Sequence, residues 1–437
     1  MIGISSFCRF FKLEESGYHT LLHFFRSSGW SLVAISVYWE SLVFSSIGRV
    51  QVQGRTILLG DHTYVPKDGR RMPGVVSLHQ NSETQSKPSY FRGHCWGALG
   101  VLIGTISAPF CLPLRLSIHQ GHVHIGEDCK KQDSRQTLGT RIVEMAIDIS
   151  IRNNLPSILI LDAYFPGGAV FKLAASVWSI ALKAPMVTLI IRAKKNYTAY
   201  FPAEKTDGKQ CGRPATYGEK VKLMEMFDHS HLFSKVACCI YGKVEEVMIL
   251  SADLLWKPTG SLIRFVFAMT SRGPIILMCS DLTMAPVDVL ELYCSRIRIE
   301  VMFDMLKNLL GVFSYRFWTK KLPPESRKPK KNIGLTTPET KNLPTVRLCW
   351  EAYERFVMLG VISLGILQII ALKYTNTVWE EFDGFLRTRS RVIPSERTVR
   401  LVIMNLVITN FFSLAPTGIL REIHHRFRGK KNSLPGS

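Results

Sequence analysis

Two short apolar runs, each closed by an aspartate, set the strongest limit on what this chain can fold into. Thr56-Ile57-Leu58-Leu59-Gly60 ends at Asp61, and Ile158-Leu159-Ile160-Leu161 ends at Asp162. Aliphatic runs this short, without polar alternation, read as strands buried inside a sheet. A carboxylate where such a strand finishes lies where open α/β sheets usually build their sites.

The intervening segments fit the same class. Turn-rich residues 66–74 follow the first aspartate, and Trp96 to Ile118 reads as a hairpin. Cys95 to Leu114 has the length of a bilayer span, but Gly97, Gly100, Gly104, Pro109 and Pro113 divide it, which favours two buried strands over a membrane segment. Leu138 to Arg152 places Ile142, Met145, Ala146 and Ile149 at helical spacing. Gly167-Gly168 opens a helix expected to reach about Leu182, and Met186 to Ile191 supplies another strand. From Tyr197 to Ser280 the pattern turns to short strand-like runs, Leu232–Ile240, Glu246–Leu250 and Ile263–Met269 among them. The expected class is α/β, a mixed sheet with flanking helices in the order of a ribonuclease-H-like core, carrying a β-rich insertion and helical N- and C-terminal parts.

Charge narrows the partner. Lys and Arg number 55 against 34 Asp and Glu, a formal +21, which calls for a polyanion such as DNA, RNA or an anionic membrane. Residues 316–347 hold nine Lys or Arg against Glu325 and Glu339, and five prolines there argue for a basic loop. The uncharged run Val357 to Leu372 is shorter than the ~20 residues of a spanning helix and reads as a buried core helix. The ten cysteines form no C-x-x-C pair, so neither a zinc ribbon nor a thioredoxin-like site is supported, and a reducing cytosol fits best. His119, His122 and His124 with Cys129 can be drawn as a zinc site, although a polar loop explains them without metal. No solenoid-length repeat and no signal-peptide pattern is found.

The segment Leu290 to Leu310, free of Gly and Pro, is expected to be one continuous helix. At 100° per residue Tyr293, Arg296, Glu300 and Lys307 fall within roughly 60° of one another. Apolar residues occupy most of the remaining face. Such a stripe is either solvated and laced with pairs such as Arg296 with Glu300, or it lines a site.

Tyr293-x2-Arg296-x3-Glu300-x6-Lys307, after two strand-end aspartates, resembles the YREK signature of the insertion-sequence-4-like group of bacterial DDE transposases. Gly60-Asp61-His62-Thr63 is similar to that family's first-aspartate block, Ile158 to Phe165 to its second, Arg192 to Asn196 to the strand end before its insertion, and Cys279 to Leu282 to the approach to its glutamate helix. The resemblance covers roughly residues 55–320. It implies hydrolytic nicking at transposon ends and attack of the freed 3′-hydroxyl on target DNA, in the bacterial cytoplasm.

Three carboxylates, Asp61, Asp162 and Glu300, are then the catalytic metal ligands. Their hard oxygens suit Mg2+, with Mn2+ as substitute, and two such ions roughly 4 Å apart serve phosphodiester chemistry. Arg296 and Lys307 would hold phosphates, and by resemblance Tyr293 touches a backbone phosphate. Lys194, Lys195 and Lys320 are further DNA-binding candidates, and Lys67, Arg70 and Arg71 stand on a turn that is either solvated or against DNA. Trp256 is a base-stacking candidate, with a core position as the alternative. The expected partners are double-stranded DNA, as terminal inverted repeats and target, and a second copy of the chain, with no membrane. Expected divisions are 1–54, a helical region short for the DNA-binding domain that relatives carry there; 55–196, the first part of the core; 197–280, the insertion; 281–320, the glutamate helix; 321–347, a basic linker; and 348–437, a helical region with a basic tail. The second functional expectation is a transposase-derived chain that binds DNA without cutting it.

Overall fold

The two strands that carry the aspartates run side by side and parallel in one large sheet. The structure, a computed structural model, describes residues 3–10, 12–79, 89–105, 108–127, 137–203, 215–328, 335–386 and 392–413. Cys129 and the basic tail lie outside them. Two compact units divide at Ile362 and Ser363.

In the first unit helices α1 (Ile4–Phe10), α2 (Glu15–Arg26) and α3 (Leu32–Ser46) precede β1 (Gln51–Val52) and the long β2 (Arg55–Pro66). Strands β3 (Val76–His79), β4 (Tyr90–Gly104) and β5 (Pro109–Ile118) follow. Helix α4 (Leu138–Arg152) leads to β6 (Ser157–Leu161), and α5 (Gly168–Ala174) to a separate ribbon of β7 (Trp178–Ser179) and β8 (Ala184–Pro185) and then to β9 (Val187–Arg192). The helix expected to reach Leu182 thus ends at Ala174, because Trp178–Ser179 pairs with Ala184–Pro185. Strands β10 (Thr198–Pro202), β11 (Tyr217–Lys222), β12 (Ser234–Ile240), β13 (Lys243–Trp256), β14 (Ser261–Thr270) and β15 (Gly273–Cys279) complete the sheet. Helices α6 (Pro286–Cys294), α7 (Ile297–Asp304) and α8 (Leu343–Lys373) come next.

Among the described residues the sheet has 13 strands in the order β11-β10-β13-β14-β15-β9-β6-β2-β4-β3, with β1 on β2, β12 on β13 and β5 on β4. Strand β6 pairs in parallel with both β2 and β9, and the remaining pairings are antiparallel. The protein is therefore mixed α/β, a large mixed sheet flanked by helices. The β-rich stretch 197–280 is not a separate body. Its last strand, β15, pairs with β9 through Leu277 and Arg192, so the same sheet simply continues.

Helix α4 starts where Thr137 and Thr140 cap one another, side chain to backbone N–H in both directions. It buries Ile142, Val143, Ala146 and Ile149 against the sheet. Helix α3 is tied to β5 by the Trp39 indole, which donates to the Pro113 carbonyl at 2.9 Å, and buried Glu40 accepts both from Arg115 on β5 and from Arg152 at the end of α4. Helix α8 spans 31 residues, longer than the run Val357 to Leu372 suggested, because Pro344 sits in its first turn, where a missing N–H costs nothing. With the turn before it, Thr340–Lys373 is long and apolar enough by length and composition to cross a membrane. Within the first unit its opening half is held by Arg347 to the Ile125 carbonyl, Tyr353 to Phe317 and Arg355 to Phe25.

The second unit holds the end of α8 with α9 (Thr375–Glu380) and α10 (Glu396–Ser413). Its internal ties include Gln368 to Glu396 at 3.0 Å and the Trp379 indole to the Val392 carbonyl at 2.8 Å.

Two tests follow from packing in the first unit. A Cβ at Gly97 would stand 2.0 Å from the His119 ring, so Gly97→Ala must displace that ring and should cost about 1–3 kcal/mol in urea denaturation. On α8, burial pushes the Glu354 carboxyl up to about 7, against the Ile118 N–H that it accepts. The folded state thus keeps a proton that the unfolded chain releases near 4.5, so this contribution to stability is full below pH 4.5 and is lost as pH rises through 7. Glu354→Gln should flatten the melting temperature between pH 5 and 8 and stabilise the protein at pH 8 by roughly 3 kcal/mol.

Candidate functional site

Register brings the aspartates together. Strands β2 and β6 pair from Thr56 with Ser157 to Leu59 with Ile160, and two residues beyond that last pair stand Asp61 and Asp162. Asp61 does not end its strand as expected. Strand β2 continues to Pro66 along β4, with Asp61 opposite Ala98, and only the pairing with β6 stops. Gly60 allows helix α4 to pack directly behind this point, since a Cβ there would meet Ile142 at 2.5 Å and Leu161 at 2.8 Å.

The third carboxylate arrives on the segment after β15. Arg264 on β14 grips Asp253 on β13 through two 2.8 Å bonds and donates to the Met284 carbonyl, which fixes the start of α6. Arg55 at the start of β2 reaches Asp281 at 2.5 Å. The expected single helix from Leu290 to Leu310 is instead three pieces. At Ser295 the ladder tightens to i→i+3 bonds, with Arg296 N–H to Tyr293 and Ile299 N–H to Arg296 carbonyls, and Met305–Leu309 widens into a π-helix. The Ser295 hydroxyl competes for the Leu292 carbonyl at 2.5 Å, a local bond that the apolar periodicity does not reveal.

Around that tightened turn Arg296 and Tyr293 reach the aspartates, and Glu300 reaches Arg296. Arg296 donates from Nη1 to Asp61 Oδ2 at 3.1 Å and from Nη2 to Glu300 Oε1 at 2.6 Å, and its Nε lies 4.0 Å from Asp162 Oδ1. The Tyr293 hydroxyl donates to Asp162 Oδ1 at 3.2 Å. Exposure rises from Arg296 at 14% and Asp61 at 20% to Asp162 at 37% and Glu300 at 49%, so the cluster has a closed floor and an open mouth.

Electrostatics follow from this geometry. Burial pushes the Asp61 carboxyl up to about 6, although Arg296 and the His62 N–H pull it down, and the charges of Asp162 and Glu300 add to the rise. Burial works against the charge of Arg296, but Asp162 and Asp61 outweigh it and raise the guanidinium further. Burial and Asp162 also raise the Tyr293 phenol. Three formal negative charges face one positive charge, which leaves about two unneutralised. Hard oxygen donors with that surplus fit a divalent ion such as Mg2+ or Mn2+. Among the described residues no three His, Cys, Asp or Glu side chains are close enough as placed to ligate one ion. Here the guanidinium bridges the three carboxylates, so an ion must shift it to reach them.

The other expected residues are spread out. Lys307 lies on the π-helix, its Nζ 5.7 Å from the Phe303 ring centre, and Lys194 and Lys195 are exposed just past β9. Lys320 is exposed, and its carbonyl accepts from Arg71. Trp256 is 4% exposed and packs on Phe171 and Tyr197, which answers its open question in favour of a core position. The histidines once drawn as a zinc set have separate partners: His119 with His62 and Ser117, His122 with Arg141, and His124 with the Gly74 N–H and Glu325.

A chain beneath Asp61 was not foreseen. His62 Nε2 lies 2.8 Å from His119 Nδ1, and His119 Nε2 lies 3.0 Å from the Ser117 hydroxyl. Burial lowers both imidazoles, His62 to about 3, so the pair is neutral. Gly97, opposite both His62 and Ser117 in the sheet, leaves the room for His119 and is the sequence signal for it.

No protein-family model and no curated protein matches the chain. If Arg296 serves as the counter-ion of the carboxylates, Arg296→Gln should lower metal-free stability by about 3 kcal/mol, as for a broken buried pair. Mn2+ should then raise the melting temperature of the variant more than that of the native chain, measured by calorimetry.

Proposed function

We propose that the chain is a DDE transposase with a ribonuclease-H-like core, a metal-dependent enzyme that cleaves DNA at transposon ends and joins the 3′-hydroxyl to target DNA. The convergence of Asp61, Asp162 and Glu300 from three separate elements on Arg296, with Tyr293 on Asp162, carries this reading. The strand sequence β5-β4-β2-β6-β9, antiparallel on one side of β2 and parallel on the other, supports it as the order expected of such a core.

Asp61, Asp162 and Glu300 would hold the metal. When bound it supplies charge neutralisation on the phosphate, a lowered pKa for an attacking water, and stabilisation of the leaving oxygen. Arg296 spends one hydrogen of each terminal nitrogen on a carboxylate and keeps the other for a phosphate oxygen. Tyr293 spends its hydroxyl hydrogen on Asp162, so its role in this arrangement is to orient that carboxylate. Lys307, Lys194, Lys195 and Lys320 add positive charge for the DNA backbone, in keeping with the net +21. Joining of two element ends implies a dimer on DNA, and the bacterial cytoplasm is the proposed setting.

The test is cleavage of a supercoiled plasmid carrying the flanking inverted repeats, in Mg2+ or in EDTA, by the native chain and by Glu300→Gln. Cuts at the repeat ends that need Mg2+ and vanish in the variant are expected. Tight DNA binding without cutting would replace this reading with that of a transposase-derived binding protein.

A further inference from the structure

Beyond the carboxylates, the first unit has a second strongly charged concavity. A cleft of about 830 Å³ opens between the turn after β2, residues 66–72, and the segment 313–327. Lys67 follows Asp61 by six residues along an extended strand, which places the cleft ~20 Å further along the molecule. Its lining brings Lys67, Arg70, Arg71, Arg316 and Arg327 together with Asp68, the only carboxylate there among the described residues.

The arginines are held without being neutralised. Arg70 Nε donates to the Glu325 carbonyl at 3.1 Å, and Arg71 Nη1 to the Lys320 carbonyl at 2.7 Å. Backbone carbonyls fix these guanidiniums while leaving their charge intact. Buried Lys67 ties the two walls, its ammonium donating to the Phe313 and Tyr315 carbonyls at 2.6 and 2.9 Å. Burial first, and then the neighbouring Arg316, push that ammonium down to about 7, while Asp68 pulls the other way. Arg316 and Arg327 are exposed and make no hydrogen bond or ion pair among the described residues. Trp318 also lines the cleft and is 49% exposed, unlike Trp256.

We propose that this cleft is a second seat for nucleic acid, in which Arg70, Arg71, Arg316 and Arg327 take the phosphodiester backbone of a single-stranded stretch and Trp318 stacks on one of its bases. Four guanidiniums carried on two chain segments exceed what one free phosphate can engage. A positive groove with an aromatic face on its wall is the usual arrangement for gripping a strand without reading its sequence. The inference rests on the reading of the chain as a DNA enzyme and adds where, away from the scissile bond, a strand is held.

The experiment measures binding of a fluorescein-labelled 20-mer of thymidine, and of a 20-base-pair duplex, to the full chain in EDTA by anisotropy across a salt series, together with the plasmid cleavage assay in Mg2+. Arg316→Gln/Arg327→Gln should weaken binding of the 20-mer at least tenfold and lower the slope of log affinity against log salt by about 1.4, from two phosphate contacts at ~0.7 each. Trp318→Leu should weaken the single strand about 5- to 150-fold, leave the duplex unchanged and abolish strand-dependent quenching of tryptophan fluorescence. Both variants alter exposed side chains, and matching thermal melts establish that they fold. Native-like binding by both variants, while the native chain binds and cuts DNA, would overturn the cleft and leave the proposed function standing. Full displacement of the strand by millimolar inorganic phosphate would likewise overturn it in favour of a simple anion pocket. Absence of any nucleic-acid binding by the native chain would remove the functional reading and this inference together.

Discussion

Charge compensation at Arg296 is the interaction on which the arrangement around the site depends. Asp61 on a strand, Asp162 just past one and Glu300 on a helix repel one another, and the guanidinium between them offsets that repulsion. A single guanidinium does so incompletely, and Asp61, raised chiefly by its burial, is pushed a little further by the charges of Asp162 and Glu300. The cluster is therefore bound together yet short of positive charge, as the proposed uptake of a divalent ion and a phosphate requires. The desolvation of Arg296 would be costly without its carboxylate partners, so neither side of the cluster is stable alone.

The frame behind the cluster is built to keep that geometry. Parallel register between β2 and β6 brings the aspartates level, and Gly60 lets α4 close the rear. Arg55 with Asp281 and Arg264 with Asp253 pin the chain before α6, so that the tightened turn at Ser295 aims Arg296 inwards. Beneath it the neutral His62 and His119 pair fills the space that Gly97 leaves open.

Much of this frame was legible from local pattern. The apolar runs before Asp61 and Asp162, the Leu138 to Arg152 helix and the Trp96 to Ile118 hairpin each carry their own signal of period or of turn residues. Three features were not legible, for separate reasons. The break near Ser295 depends on a side-chain hydrogen bond within one turn, which an apolar period cannot encode. The end of α5 depends on pairing between two-residue strands too short to have a period. The continuity of residues 197–280 with the rest of the sheet depends on β15 meeting β9, a contact between segments about 85 residues apart.

By itself the sequence determined the α/β class, which residue types could do chemistry, and the spacing that keeps Tyr293, Arg296 and Glu300 within two turns of one another. These are properties of neighbours within a few residues, and local backbone geometry translates them directly. Only the tertiary structure decided that the carboxylates share Arg296, that Trp256 is core while Trp318 faces a basic cleft, and that His119 belongs under Asp61. Each of these turns on strand register and on which side chain wins a limited space, and those are settled by packing between segments remote in the chain.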